Sequence, residues 1–122
     1  MIEVSDEQFQ QLIDEALSSL PGEHVKNIKN VAILYEQEPT FEQRQKLELR
    51  YDQTLFGLYE GVPLSQRQGQ VHIFPDRITI FKGPMERAVG SVAQLKEQIR
   101  HTLWHEIGHY YGLDHKRIAE LE

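Results

Sequence analysis

Apolar residues in the first twenty positions recur at helical spacing: Phe9, Leu12, Ile13, Ala16, Leu17 and Leu20 form one stripe. Ser5 precedes the stripe with Gln8 three residues on, the pattern of a capping box, and Pro21-Gly22 stops the run. Val31-Ala32-Ile33-Leu34-Tyr35 is a short, β-prone apolar run that reads as a strand ending before Glu36 to Pro39. Residues 40–54 are charged and Gln-rich, which suits a partly exposed helix or an ordered excursion. Leu55 to Leu64 mixes glycine, proline and bulky apolar residues, a loop or short strand packed on the body, followed by a polar tip from Ser65 to Gln70.

Val71-His72-Ile73-Phe74 and Arg77-Ile78-Thr79-Ile80-Phe81 are two further β-rich runs, separated by Pro75-Asp76. Gly83-Pro84 closes the second. Val92, Leu95, Ile99, Leu103 and Ile107 then mark a long helix, and Lys116 to Leu121 supply a final helical turn. A helix first, strands in the middle and a helix last predict an α+β fold with helices against one face of a small sheet.

The chain has 122 residues, which predicts a single domain, 1–122, able to bury a core without covalent staples. A mean hydropathy of −0.53 fits a soluble globular protein with a modest interior. Cysteine is absent, which excludes disulfides and thiolate ligands and fits a reducing compartment. The opening Met1 to Glu7 has neither the basic start nor the apolar run of a signal peptide, and no segment approaches membrane-spanning length, so the expected location is the cytoplasm. The net charge of −6 weighs against nucleic-acid binding through a broad basic face. A short polar chain of this kind is expected to be a monomer.

The chemistry concentrates in His105 to His115, which reads H-E-x-x-H-x-x-G-x-x-H. Histidines four apart project from the same helical face one turn above the other, so His105 and His109 can share one metal ion. Glu106 is rotated off that stripe, where it can hydrogen-bond a water on the metal without being a ligand. Gly112 can take the positive φ that ends a helix and turns the chain back. His115 then comes within reach as a third ligand, leaving the fourth tetrahedral position open, as catalytic zinc requires. Asp114 is placed to orient a ligand imidazole, to cap the helix end or to replace His115 on the metal. His101 lies one turn before His105, but three successive turns extend about 11–12 Å, too far for one ion to bridge both ends. It therefore reads as a neighbour of the site or a surface residue. His24 and His72 carry no motif context, and Tyr59, Tyr110 and Tyr111 are read first as packing residues and second as oxyanion donors.

Ile78 to Pro84 leading into Leu103 to Asp114 resembles the small bacterial zincin-like metallopeptidases, as do Gly57 to Leu64 and the opening helix through Ser19-Leu20-Pro21. The resemblance covers nearly the whole chain. It implies a compact minimal zincin core, a small mixed sheet packed on helices, with the active-site helix near the C-terminus. Relatives of this kind often carry Asp where this chain has His115, which leaves the third ligand open between His115 and Asp114. A His₃ set is like that of the metzincins, yet those place a methionine-containing turn after the third histidine, and here Met1 and Met85 both precede the motif.

The expected function is a zinc-dependent metallopeptidase acting on peptide or unfolded protein, with Glu106 as general base and His105, His109 and His115 as ligands. Ile78 to Phe81, if at a sheet edge, would align an extended peptide by strand addition. Two rivals come from other classes. Gly112-Leu113-Asp114-His115 also matches the end of the motif of YbeY-type metal-dependent ribonucleases, although Glu106 and the acidic charge balance disfavour it. The other rival is a non-catalytic zinc-binding interaction protein.

Overall fold

The computed structural model describes residues 1–22, 31–46, 55–61, 76–112 and 116. Helix α1 (Asp6–Ser19) starts where the Ser5 hydroxyl accepts from the Gln8 backbone N–H at 3.1 Å. Its stripe of Phe9, Leu12, Ile13 and Ala16 is buried, and Leu20 leaves the helix in an extended conformation. Strand β1 spans Val31–Glu36. The short helix α2 (Phe41–Lys46) covers the first part of the charged, Gln-rich stretch. A reciprocal cap starts it: the Gln43 N–H donates to the Thr40 hydroxyl at 3.1 Å, and the Thr40 N–H donates to the Gln43 side-chain oxygen at 2.8 Å.

Strands β2 (Gly57–Glu60) and β3 (Asp76–Phe81) complete a three-stranded mixed sheet in the order β1-β3-β2. β3 runs parallel to β1 and antiparallel to β2. This overturns the edge position expected for Ile78 to Phe81. β3 is paired on both sides, and Ile78, Thr79, Ile80 and Phe81 are all buried, as suits a central strand. Strand addition cannot take place there.

Helix α3 (Lys82–Ala88) follows β3 without a loop, so Gly83-Pro84 both ends the strand and opens a helix. Proline is tolerated in a first helical turn because its missing N–H would have no partner there. Helix α4 (Val92–Tyr110) is the long helix anticipated from the apolar periodicity, capped by the Ser91 hydroxyl accepting from the Gln94 N–H at 3.1 Å.

Register decides which residues meet the helices. Paired positions share a face, so Ile33, Ile78 and Tyr59 lie side by side, as do Tyr35, Ile80 and Gly57. This face packs on α1 and α4, where Phe9, Ile13, Leu95, Ile99, Leu103 and Ile107 join Ile78, Ile80 and Met85 in one core. The opposite face holds a smaller cluster of Leu55, Leu58 and Phe81. Among the described residues no helix is long and apolar enough to cross a membrane. The expected strand Val71 to Phe74 lies outside the described residues, as does the expected last helical turn apart from Lys116.

Candidate metal centre and active site

The core side of α4 is fixed by Ile99, Leu103 and Ile107, and this orientation leaves His105 and His109 half-buried on a neighbouring flank. One turn apart, they bring their Nε2 atoms to 3.2 Å, with the rings nearly perpendicular at 79°. Two imidazole nitrogens on a tetrahedral zinc, each at 2.0–2.1 Å, stand about 3.3 Å apart. The donor pair therefore fits a zinc ion closely. A ligand oxygen of Glu106 joins them, and the three ligand atoms lie within 4.8 Å of one another.

Glu106 is 7% exposed although it is an acid on a helix of a small protein. Burial pushes its carboxyl up from 4.5 to about 7, partly opposed by a hydrogen bond from the Tyr59 backbone N–H. The cause of the burial is β2, which lies directly against this flank of α4. Gly57 makes the approach possible. A Cβ there would stand 2.5 Å from Thr102 Cγ2 and 3.4 Å from Glu106 Cγ, so any other residue would displace the Thr102 side chain or the strand. Beside them lies a cleft of about 390 Å³ lined by Phe56, Gly57, Gln98, His101, Thr102, His105 and Glu106. Gln98 donates to the Thr102 hydroxyl at 3.1 Å, which fixes the orientation of its amide along this wall.

The structure thus brings together His105, Glu106 and His109 and sets His101, exposed, on the cleft wall. Gly112 adopts φ 78° at the end of α4, the left-handed turn its position required, with its N–H donating to the His109 carbonyl at 2.9 Å. Asp114, His115, His24 and His72 lie outside the described residues. Tyr110 is buried, with its ring edge-on to Tyr59 and Tyr111 at centroid distances of 6.3 and 5.0 Å. Burial, and then the neighbouring Tyr110, push the Tyr111 hydroxyl upward. The Tyr59 hydroxyl donates to the buried Asp76 carboxylate.

Sequence reasoning missed Gly57, the Tyr59 amide and Asp76. The signal was a strand-like run with glycines at both ends, Gly57-Leu58-Tyr59-Glu60-Gly61, since glycine within a strand marks a close backbone approach.

A helix carrying two histidines and an intervening glutamate, laid under a small mixed sheet, defines a metallopeptidase-type core. The chain belongs to the zincin-like metallopeptidase family, whose model matches residues 28–122. A solved structure with a similar fold is a conserved hypothetical protein from T. thermophilus, with 15% identity and a TM-score of 0.56 over 97% of this chain and 100% of that one. No curated protein matches. Family membership implies a metal ion, and the His105-Glu106-His109 group is its candidate site.

Proposed function

We propose that this protein is a zinc-dependent metallopeptidase that hydrolyses peptide bonds in peptides or unfolded protein. The observation that carries the reading is the Glu106 carboxyl, buried beside two imidazole nitrogens at zinc-ligand spacing. A general base must both take and return a proton, and burial makes this carboxyl a better proton acceptor than an exposed glutamate. A bare structural site would have no use for such an acid.

In this reading His105 and His109 hold the ion and the segment after Gly112 supplies the third ligand, His115 or Asp114. Zinc supplies Lewis acidity, making water a better nucleophile and favouring negative charge on the carbonyl oxygen. A Glu106 carboxylate oxygen takes the proton of the attacking water and delivers it to the nitrogen of the departing amine. The cleft lined by Phe56, Gly57, His101 and Thr102 receives the chain next to the scissile bond. In this reading the protein acts as a monomer in the cytoplasm.

The test is to load the purified protein with zinc, measure stoichiometry, and compare wild type with Glu106→Gln on denatured protein and on structured RNA. Peptide cleavage that disappears in Glu106→Gln, with zinc retained, is the expected result. RNA cleavage, or tightly held zinc with no turnover, overturns it. For the third ligand, His115→Ala is expected to weaken zinc binding more than Asp114→Ala; the reverse order assigns the role to Asp114.

A further inference from the structure

Strand β2 is tied to the rest of the molecule through side-chain contacts at Tyr59 as well as through its ladder with β3. Tyr59 and Asp76 point from the helix-packed face of the sheet, from neighbouring strands. Asp76 is 2% exposed, and its carboxylate accepts from the Tyr59 hydroxyl. Gly61, one residue beyond β2, leaves room for that carboxylate, because a Cβ there would overlap Asp76. The Tyr59 ring is held edge-on by Tyr110, which belongs to the same turns of α4 as the histidines. At the other end of β2, Gly57 lies on Thr102 and Glu106. The backbone N–H of Tyr59 donates to Glu106.

We propose that Tyr59 and Asp76 are positioning residues for Glu106: their part-buried side-chain contact fixes β2 so that the Tyr59 amide holds the Glu106 carboxylate beside the imidazole pair. A glutamate side chain has three rotatable torsions, and a proton carrier works only in the small part of that space facing both nucleophile and leaving group. One backbone donor, itself immobilised, removes most of that freedom without supplying a charge that would hold the proton off. Tyr59 contributes through its main chain, and Asp76 acts through Tyr59. The inference rests on the proposed role of Glu106, but the contact can be measured without turnover.

The first measurement is amide hydrogen exchange of the metal-free protein. Glu106→Ala is expected to speed exchange of the Tyr59 amide by about tenfold or more, with Ile78 and Ile80 unchanged. Tyr59→Phe, which removes only the hydroxyl, is expected to speed the same amide and leave zinc stoichiometry intact. An unchanged Tyr59 amide in Glu106→Ala overturns the proposal, whether or not the protein is a peptidase. The second measurement is kinetic: Tyr59→Phe and Asp76→Ala lower kcat by about tenfold to a hundredfold with KM held within about twofold. Asp76→Asn, which keeps an acceptor for the hydroxyl, recovers most of the loss. A loss confined to KM, or an Asp76→Asn as impaired as Asp76→Ala, overturns it. If wild type cleaves no peptide, the proposed function fails while the exchange result still decides the contact.

Discussion

The absence of one methyl group at Gly57 sets the distance between β2 and α4, and so the burial of Glu106. Gly57→Ala would put its Cβ 2.5 Å from Thr102 Cγ2, a contact that forces either the Thr102 side chain or the strand to shift. Overpacking of this kind costs about 1–3 kcal/mol, which urea denaturation would register. Thr102→Ser removes the obstructing methyl and keeps the hydroxyl that accepts from Gln98. The double variant is therefore expected to recover more stability than the two single changes predict by addition; simple additivity would mean that the strain lies elsewhere. Glu106→Gln is the complementary change, preserving shape while removing the base. Peptide hydrolysis is expected to fall by about a hundredfold or more with zinc still bound, read by turnover assay alongside metal analysis. A variant that loses zinc as well would make Glu106 a ligand rather than a base.

Helix α4 carries the site; its course was legible from the apolar periodicity and its end from Gly112, whereas the Ser91 cap emerged only with the fold. Ser91 caps the start, apolar residues every third or fourth position set the buried side, and Gly112 ends it at φ 78°. Gly112→Ala is expected to lower stability by about 1–2 kcal/mol, the penalty of a left-handed conformation with a Cβ, while Gly112→Asn loses less. Equal losses in denaturation would show that the turn itself does not matter. Helix α1 was legible for the same reasons. The sheet was less so: Ile78-Thr79-Ile80-Phe81 named a strand, but its central place depends on partners distant in sequence. Thr79 between Ile78 and Ile80 reads as polar alternation, the mark of a half-exposed strand, and only the pairing on both sides explains its burial. Helix α3 was missed because Gly83-Pro84 signals a strand end equally well, and α2 was only half seen although Thr40 and Gln43 spell a capping pair. Of the site, the His105-Glu106-His109 cluster was readable from spacing. The Tyr59 amide was not, since every residue but proline has one and only the fold aims it.

Taken together, the molecule keeps an acid inside its own core region, and this makes metal-free stability depend on pH in an unusual direction. The Glu106 carboxyl is raised from 4.5 to about 7 by burial, so between those values the folded chain binds a proton that the unfolded chain releases. Its contribution is thus fully present below about pH 4.5 and is lost as pH rises through 7, with a total of roughly 3 kcal/mol. Most carboxylates act the other way. Glu38, held below its usual value by hydrogen bonding to Arg87, stabilises at higher pH and loses that contribution on acidification. The raw pH profile mixes the two, and the difference between wild type and Glu106→Gln isolates the buried acid. Metal-free wild type is expected to be the more pH-sensitive of the pair, losing stability relative to Glu106→Gln between pH 5 and 7.5 in urea melts. A difference that does not vary with pH would mean that Glu106 is solvated and ionised throughout. Zinc should then matter most at neutral pH, where a cation beside the ionised carboxylate offsets the burial penalty. At a thousandfold excess over its Kd, zinc adds about 4 kcal/mol by mass action. In Glu106→Gln the buried acid is gone, so zinc is expected to stabilise that variant with a shallower dependence on pH between 5 and 7.5 than it shows in wild type.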